Sequence, residues 1–312
     1  MNPFGKLIGK YRSEFDEDHI IYELSEKPLI HTNGCRALST SISPSPLSCL
    51  VAGSSDGNIY YLNEDGLDWT YQTGGYVWGI SVSSDGKLVA AGSSNGNTYL
   101  LNRQGELLWD CSVGSVVYNI SMSSDGHYIA VSADEHGIYL FNNEGEFLWN
   151  EQIDAVRGVS LSADGTYLAF SQAIKGWEDK IGLYKTRNSR NEPKKEWRYK
   201  VEDYMWGAAV SPDGSYIAAG SSDGNIYFFD RKGKLLWTYR TGGYVWGVSI
   251  SCDGKLVAAG SSDGHIYLLN IKGDLLWSYK TSGDVMDVSL SADGAYMAAT
   301  SLDMNVYHIV IP

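Results

Sequence analysis

Apolar and polar residues alternate with a period of two in short runs that recur along nearly the whole chain. Residues 74–113 carry four of them in order: WGISVS, KLVAAGSS, NTYLLN and ELLWDCSV. In the first, serine alternates with apolar residues, as a half-buried strand requires. The runs are separated by Ser-Asp-Gly-Lys, Ser-Asn-Gly-Asn and Arg-Gln-Gly-Glu. Glycine there supplies positive φ, and Asp or Asn tolerates it and caps the turn. The pattern predicts four strands, a to d, joined by tight turns.

The unit repeats. Residues 73–97 and 241–265 are identical at 20 of 25 positions, so both descend from one unit. Asp-Gly turns fall at Asp85, Asp125, Asp164, Asp213, Asp253 and Asp293, and four of the five spacings are 39 or 40 residues. The fifth, 49 residues, marks an insertion. Four strands about every 40 residues is the arithmetic of a β-propeller blade. The strand-d tryptophan occurs six times, at Trp69, Trp109, Trp149, Trp197, Trp237 and Trp277. The last unit, 281–312, stops after strand c, and a segment at about 19–26 (HIIYELSE) reads as a strand d without a unit. Tyr22 would then stand as the seventh aromatic. The expected fold is all-β: a seven-bladed propeller of four-stranded antiparallel blades over 19–312, closed by the N-terminal strand, which leaves no open sheet edge. Irregular insertions are expected at 172–180 and 185–196.

The recurring tryptophans read as packing between blades. Full burial would remove ~150–250 Å² each, a gross stabilisation of roughly 4–6 kcal/mol. The strand-c tyrosines Tyr60, Tyr99, Tyr139, Tyr227, Tyr267 and Tyr307 take the same structural reading.

The signal Gly-x-Leu-Leu-Trp-x-Tyr-x-Thr-Gly-Gly at 233–243 resembles the tryptophan-docking repeat of pyrroloquinoline-quinone-type propellers. Ser211-Pro212-Asp213-Gly214-Ser215-Tyr216-Ile217-Ala218 resembles the strand a–b turn of WD-repeat propellers. The likeness extends over about 19–312 and is to hybrid propellers common in archaeal, especially methanogen, sequences. The departures bear on function. Strand c ends Leu101-Asn102 or Phe229-Asp230 rather than Trp-Asp, and the vicinal Cys-Cys pair of quinone-dependent alcohol dehydrogenases is absent.

The resemblance implies that strand a lines the central channel and that the d–a and b–c loops share one face, here the top. The first strand-a position around the ring is Leu38, Trp78, Tyr118, Arg157, Trp206, Trp246 and Met286. Two readings fit. These residues form an aromatic cup for a peptide or small apolar ligand, since Trp, Tyr, Arg and Met are enriched at interfaces, or they plug the channel. Acids Asp154, Glu202, Asp203 and Asp284 lie on the top loops, with Asp287 just inside strand a. They fit a site for a basic segment or a solvated acidic surface. The Asp-Gly pairs at Asp56, Asp223 and Asp263 lack calcium-loop spacing and read as turns.

The fourth unit, 154–201, breaks the pattern. Its b–c connection holds Trp177, the one tryptophan outside the repeat, and its c–d connection carries Arg187, Arg190, Lys194 and Lys195. Long irregular loops are candidates for partner contact, and also for tolerated insertion. The N-terminal tail, 1–18, places Phe4, Leu7, Ile8, Tyr11 and Phe15 on one face of a helix, a candidate docking element weakened by Gly5 and Gly9.

Composition narrows the function classes. The net charge is −13, which argues against nucleic acid or an anionic membrane as partner. The four cysteines, Cys35, Cys49, Cys111 and Cys252, form no CxxC pair, so neither a zinc site nor a disulfide framework is expected. There is no apolar signal and no membrane-spanning run, and a cytoplasmic setting is the expectation. The six histidines fall at unrelated repeat positions, and HExxH and phosphate-loop motifs are absent. The leading expectation is a non-catalytic protein-interaction scaffold without cofactor or metal. The alternative is a small-molecule-binding or enzymatic propeller, quinone-dependent dehydrogenase-like or lyase/lactonase-like, that uses the central channel.

Overall fold

The computed structural model describes residues 7–11, 22–25 and 30–31 as backbone strands, and 35–43, 49–63, 65–176, 178–186 and 193–311. Six four-stranded antiparallel sheets follow one another along the chain, and a seventh is built from both ends of it. The blades span 37–72, 77–112, 117–151, 156–201, 205–240, 245–280 and 285–310, the last joined by N-terminal strands. The fold is the seven-bladed propeller that the repeat arithmetic predicts.

Within a blade the burial pattern follows position. Strand b is the blade's centre, as in Leu256–Ser261, which is almost wholly buried. Strand d is the outer edge, where burial alternates, as in Leu235–Arg240. Strands a of successive blades are stitched side by side. Ser41 Oγ accepts the Val82 N–H at 3.2 Å, Ser81 that of Met122 at 3.1 Å, and Ser121 that of Leu161 at 2.9 Å. Ser160 and Ser249 repeat the contact. The serines alternating with apolar residues in strand a are therefore inter-blade acceptors for backbone groups that would otherwise be buried unpaired.

The strand-d tryptophans dock on the next blade. Indole N–H groups of Trp69, Trp109, Trp197 and Trp237 donate to the carbonyls of Arg103, Asn143, Arg231 and Ile271 at 2.8–3.0 Å. Each ring lies against a turn glycine of that blade. A Cβ on Gly233 would stand 2.7 Å from the Trp197 ring, and one on Gly273 2.9 Å from Trp237. Only Trp277 is fully buried, so the full-burial figure overstates what the others contribute. The strand-c tyrosines serve the b–c turns. Tyr60, Tyr227, Tyr267 and Tyr307 donate to Asp56, Asp223, Asp263 and Asp303 at 2.5–2.6 Å. The other carboxylate oxygen caps the turn, as at Asn225 N–H to Asp223. This accounts for the repeated Asp-Gly pairs as turn chemistry.

Closure departs from expectation in detail. Strand d of the seventh blade is split into Tyr22–Ser25 and Ile30–His31, both paired with Asn305–Val310. In the sixth blade Trp277 faces Leu268, whose counterpart in the seventh is His308. Leu24 already faces Ile309, so Tyr22 lies beyond that register and is not the seventh docking aromatic. The helical reading of the tail is also corrected. Leu7–Tyr11 is a strand, added antiparallel to Tyr22–Ser25 with Tyr11 opposite Tyr22. Glycines penalise a helix there, and the neighbouring strand edge offers a row of backbone partners. Phe4, Trp177, Arg187 and Arg190 lie outside the described residues.

Candidate functional site

Every strand a begins one residue earlier than the sequence pattern suggests, on a buried Ala, Val or Met: Ala37, Val77, Val117, Val156, Met205, Val245 and Val285. The next residue is the cup residue, and there the a–b ladder slips in all seven blades. Val77 faces Ser93 and Gly79 faces Gly92, which leaves Trp78 unpaired. The same break falls at Tyr118, Arg157, Trp246, Met286 and Leu38, and at Trp206 together with Gly207. A bulge re-aims a side chain out of the pleat. Seven bulges in register turn seven side chains toward the axis. They line one cavity of about 310 Å³, with Asn119, Asp287 and small residues beneath.

The residue after the cup position explains why the strands come so close. It is Gly79, Gly158, Gly207 and Gly247 in four blades. A Cβ on Gly79 would meet the Asn119 backbone at 2.6 Å, and one on Gly247 would meet Asp287 Oδ1 at 2.7 Å. In two other blades a polar side chain reaches across instead. Asn119 Oδ1 accepts the Val159 N–H at 3.4 Å, and Asp287 Oδ2 accepts the Thr40 N–H at 3.0 Å. Burial pushes the Asp287 carboxyl up to about 7, against the pull of N–H groups from Thr40 and Val288. The residue still keeps part of its surface toward the cavity.

The aromatic walls touch one another. Trp206 and Trp246 meet edge to face with centroids 4.8 Å apart, and Trp78 lies 6.1 Å from Tyr118. Arg157 stacks its guanidinium 3.8 Å from the Tyr118 centroid and donates to Asp134 at 2.6 Å. Trp206 donates its indole N–H to Ser222 at 2.6 Å. The Trp246 indole N–H is buried and finds no acceptor among the described residues. The equivalent serine there, Ser262, is taken by the Tyr244 N–H.

Sequence reasoning missed the rim. Tyr76, Tyr204 and Tyr244 lie two residues before a cup tryptophan, pack against it at 5.7–6.2 Å, and are 51%, 36% and 50% exposed. The Tyr-x-Trp spacing carries the signal, since residues two apart in an extended chain share a face. Also missed was Lys180, fully buried inside the segment read as an irregular loop. The strand resumes at Glu178, and Lys180 Nζ donates to the carbonyls of Glu202 and Asp203 at 2.6 and 2.9 Å. After the first, fifth and sixth blades a threonine hydroxyl holds this d–a loop, as Thr241 does on Gly224 and Gly243. The fourth blade has Val201 in that place, and the lysine stands in for it from the neighbouring strand.

The other candidates are not brought to the cup. Lys194 and Lys195 open the strand Lys194–Val201 as exposed residues beside Lys185 and Tyr184, at the end of strand c opposite to the top loops. Leu7, Ile8 and Tyr11 lie in the added outer strand of the seventh sheet. Among the described residues no group of three or more His, Cys, Asp and Glu is placed to hold a metal ion.

Three family models match parts of the chain. A lambda-carrageenase β-propeller domain model matches 216–311, a WD domain G-beta repeat model matches 196–230, and a model of the outer membrane protein assembly factor BamB matches 55–182. No curated protein matches the sequence. Each of the three matches is to part of the ring, so what they share with this chain is the β-propeller with WD-like and quinone-type repeats.

Proposed function

We propose that this propeller is a non-catalytic binding scaffold that holds a segment of a protein partner in the aromatic cup. The observation that carries the reading is the set of seven bulges that turn Leu38, Trp78, Tyr118, Arg157, Trp206, Trp246 and Met286 into one cavity. A plug would not need the exposed tyrosine rim. Half-exposed Tyr backed by Trp is the composition of an interface centre. The WD-repeat match supports a binding role by likeness only, since propellers host many functions. Lys194 and Lys195, with Arg187 and Arg190 of the same c–d connection, make a separate basic contact region in this reading, and Trp177, of the b–c connection, is a contact distinct from it. Phe4, Leu7, Ile8 and Tyr11 serve as accessory docking residues in this reading. The four cysteines, with no disulfide among the described residues, suit a reducing compartment, and we place the protein in the cytoplasm on that ground.

The triple variant Trp78→Ala/Trp206→Ala/Trp246→Ala tests the cup. With the fold verified by circular dichroism, it should lose the polypeptide that co-purifies with the wild type. Undiminished retention would contradict the reading.

A further inference from the structure

We propose that the occupant of the cup is a basic side chain, the ammonium of a lysine or the guanidinium of an arginine, seated between the tryptophan faces and the Asp287 carboxylate. The proposal rests on the cup being the partner site and adds the chemistry of what enters it. Five observations point the same way. The cavity, at about 310 Å³, is at the small end of ligand pockets and suits one side chain rather than a folded element. Its walls are indole and phenol rings, whose faces attract cations. Its one carboxylate is Asp287, on the strand next to Trp246. The cation already present, Arg157, is matched by Asp134 at 2.6 Å, so it leaves the Asp287 charge unanswered. The chain as a whole, at −13, draws cations toward it.

Proton linkage gives the proposal a signature. With its free carboxyl raised to about 7, Asp287 must give up a proton to pair with a cation as pH falls below that value. Affinity should therefore rise with pH. The strands packed on Asp287 add few competing groups. Ala37–Ile42 and Val245–Ile250 contain no titratable side chain, and Tyr296–Ser301 has only Tyr296. Arg157 and Tyr118 are the other titratable groups lining the cavity, and Arg36 and Asp284 precede the cup positions at this seam.

The test is calorimetric titration of the full chain with acetyl-Gly-Lys-Gly-amide, acetyl-Gly-Arg-Gly-amide and acetyl-Gly-norleucine-Gly-amide at pH 6 and pH 8. Asp287→Asn is the matched variant, because Asn119 makes the same inter-blade bond at the equivalent position. At pH 8 one or both basic peptides should bind the wild type about tenfold or more tighter than the norleucine peptide, roughly the worth of one charge-assisted contact. The preference should weaken several-fold at pH 6, and in Asp287→Asn it should be several-fold smaller than in the wild type at pH 8 and no longer depend on pH. Equal binding of the norleucine peptide, absence of binding by either basic peptide, or an undiminished preference in Asp287→Asn would overturn the proposal. If Asp287→Asn keeps its protein partner while the triple tryptophan variant loses it, the scaffold reading stands and only the cation assignment falls.

Discussion

Asp287 and His308 are two buried titratable groups that pull stability in opposite directions with pH. Burial raises Asp287 to about 7, so the folded state resists its ionisation. The stability tied to it is full below the ordinary carboxylate range and is lost as pH rises toward 7. Burial lowers His308 to about 4, so its contribution is full above about 6.5 and is lost as pH falls toward 4. The two tilts overlap between pH 4 and 7 and offset each other, each on the order of 2–4 kcal/mol. In urea unfolding, His308→Phe, which keeps a ring to stack on Tyr296, should fall in stability from pH 4.5 to 7.5. Asp287→Asn should rise over the same range. Parallel profiles for the two variants would show that burial does not set these groups as described. Lys180 acts at the same scale. Lys180→Met strands two carbonyls of the loop before Trp206, and should cost about 2 kcal/mol in the same assay. An unchanged midpoint would mean that the loop holds itself.

The element that matters is strand a with its bulge. Gly79 lets neighbouring strands approach until only a hydrogen fits between them. Gly79→Ala should cost roughly 1–3 kcal/mol, because the Asn119 and Ile120 backbone that a Cβ would meet cannot swing aside. A thermal melt within a degree of wild type would contradict that geometry. The repeat made the cup residues legible: aligning the units put Trp78, Trp206 and Trp246 at one position, with Tyr118, Arg157 and Met286 in register. The bulge was not legible, because a slipped ladder belongs to two strands and the sequence shows one at a time. Lys180 was hidden by the irregular segment around it, and Val201 gave no mark of its role, since Val113 and Ile153 stand at the same repeat position in other blades. Tyr22 misled because an aromatic in strand d was taken for register. The tail misled because a helical spacing in a glycine-containing segment carries less weight than an available sheet edge.

The whole molecule depends on how the ring is shut. Residues 22–25 and 30–31 cover the strand Asn305–Val310, and Leu7–Tyr11 lies outside them. Removing residues 1–21 should leave the ring closed and the melting temperature little changed. Removing residues 1–31 bares a strand edge, and should lower the melting temperature by several degrees and promote association. Equal stability of the two truncations would show that closure does not rest on these strands. A closed ring fixes all seven strands a around one axis, so it also fixes the cup as a preorganised surface that loses little freedom on binding. The most direct measurement of that account is native mass spectrometry of the protein isolated gently from its own cells. The account predicts additional polypeptide mass, released when a lysine- or arginine-containing peptide is added in excess. A bound increment of a few hundred daltons or of a metal ion, with no polypeptide, would contradict the scaffold reading and make the channel a small-molecule site.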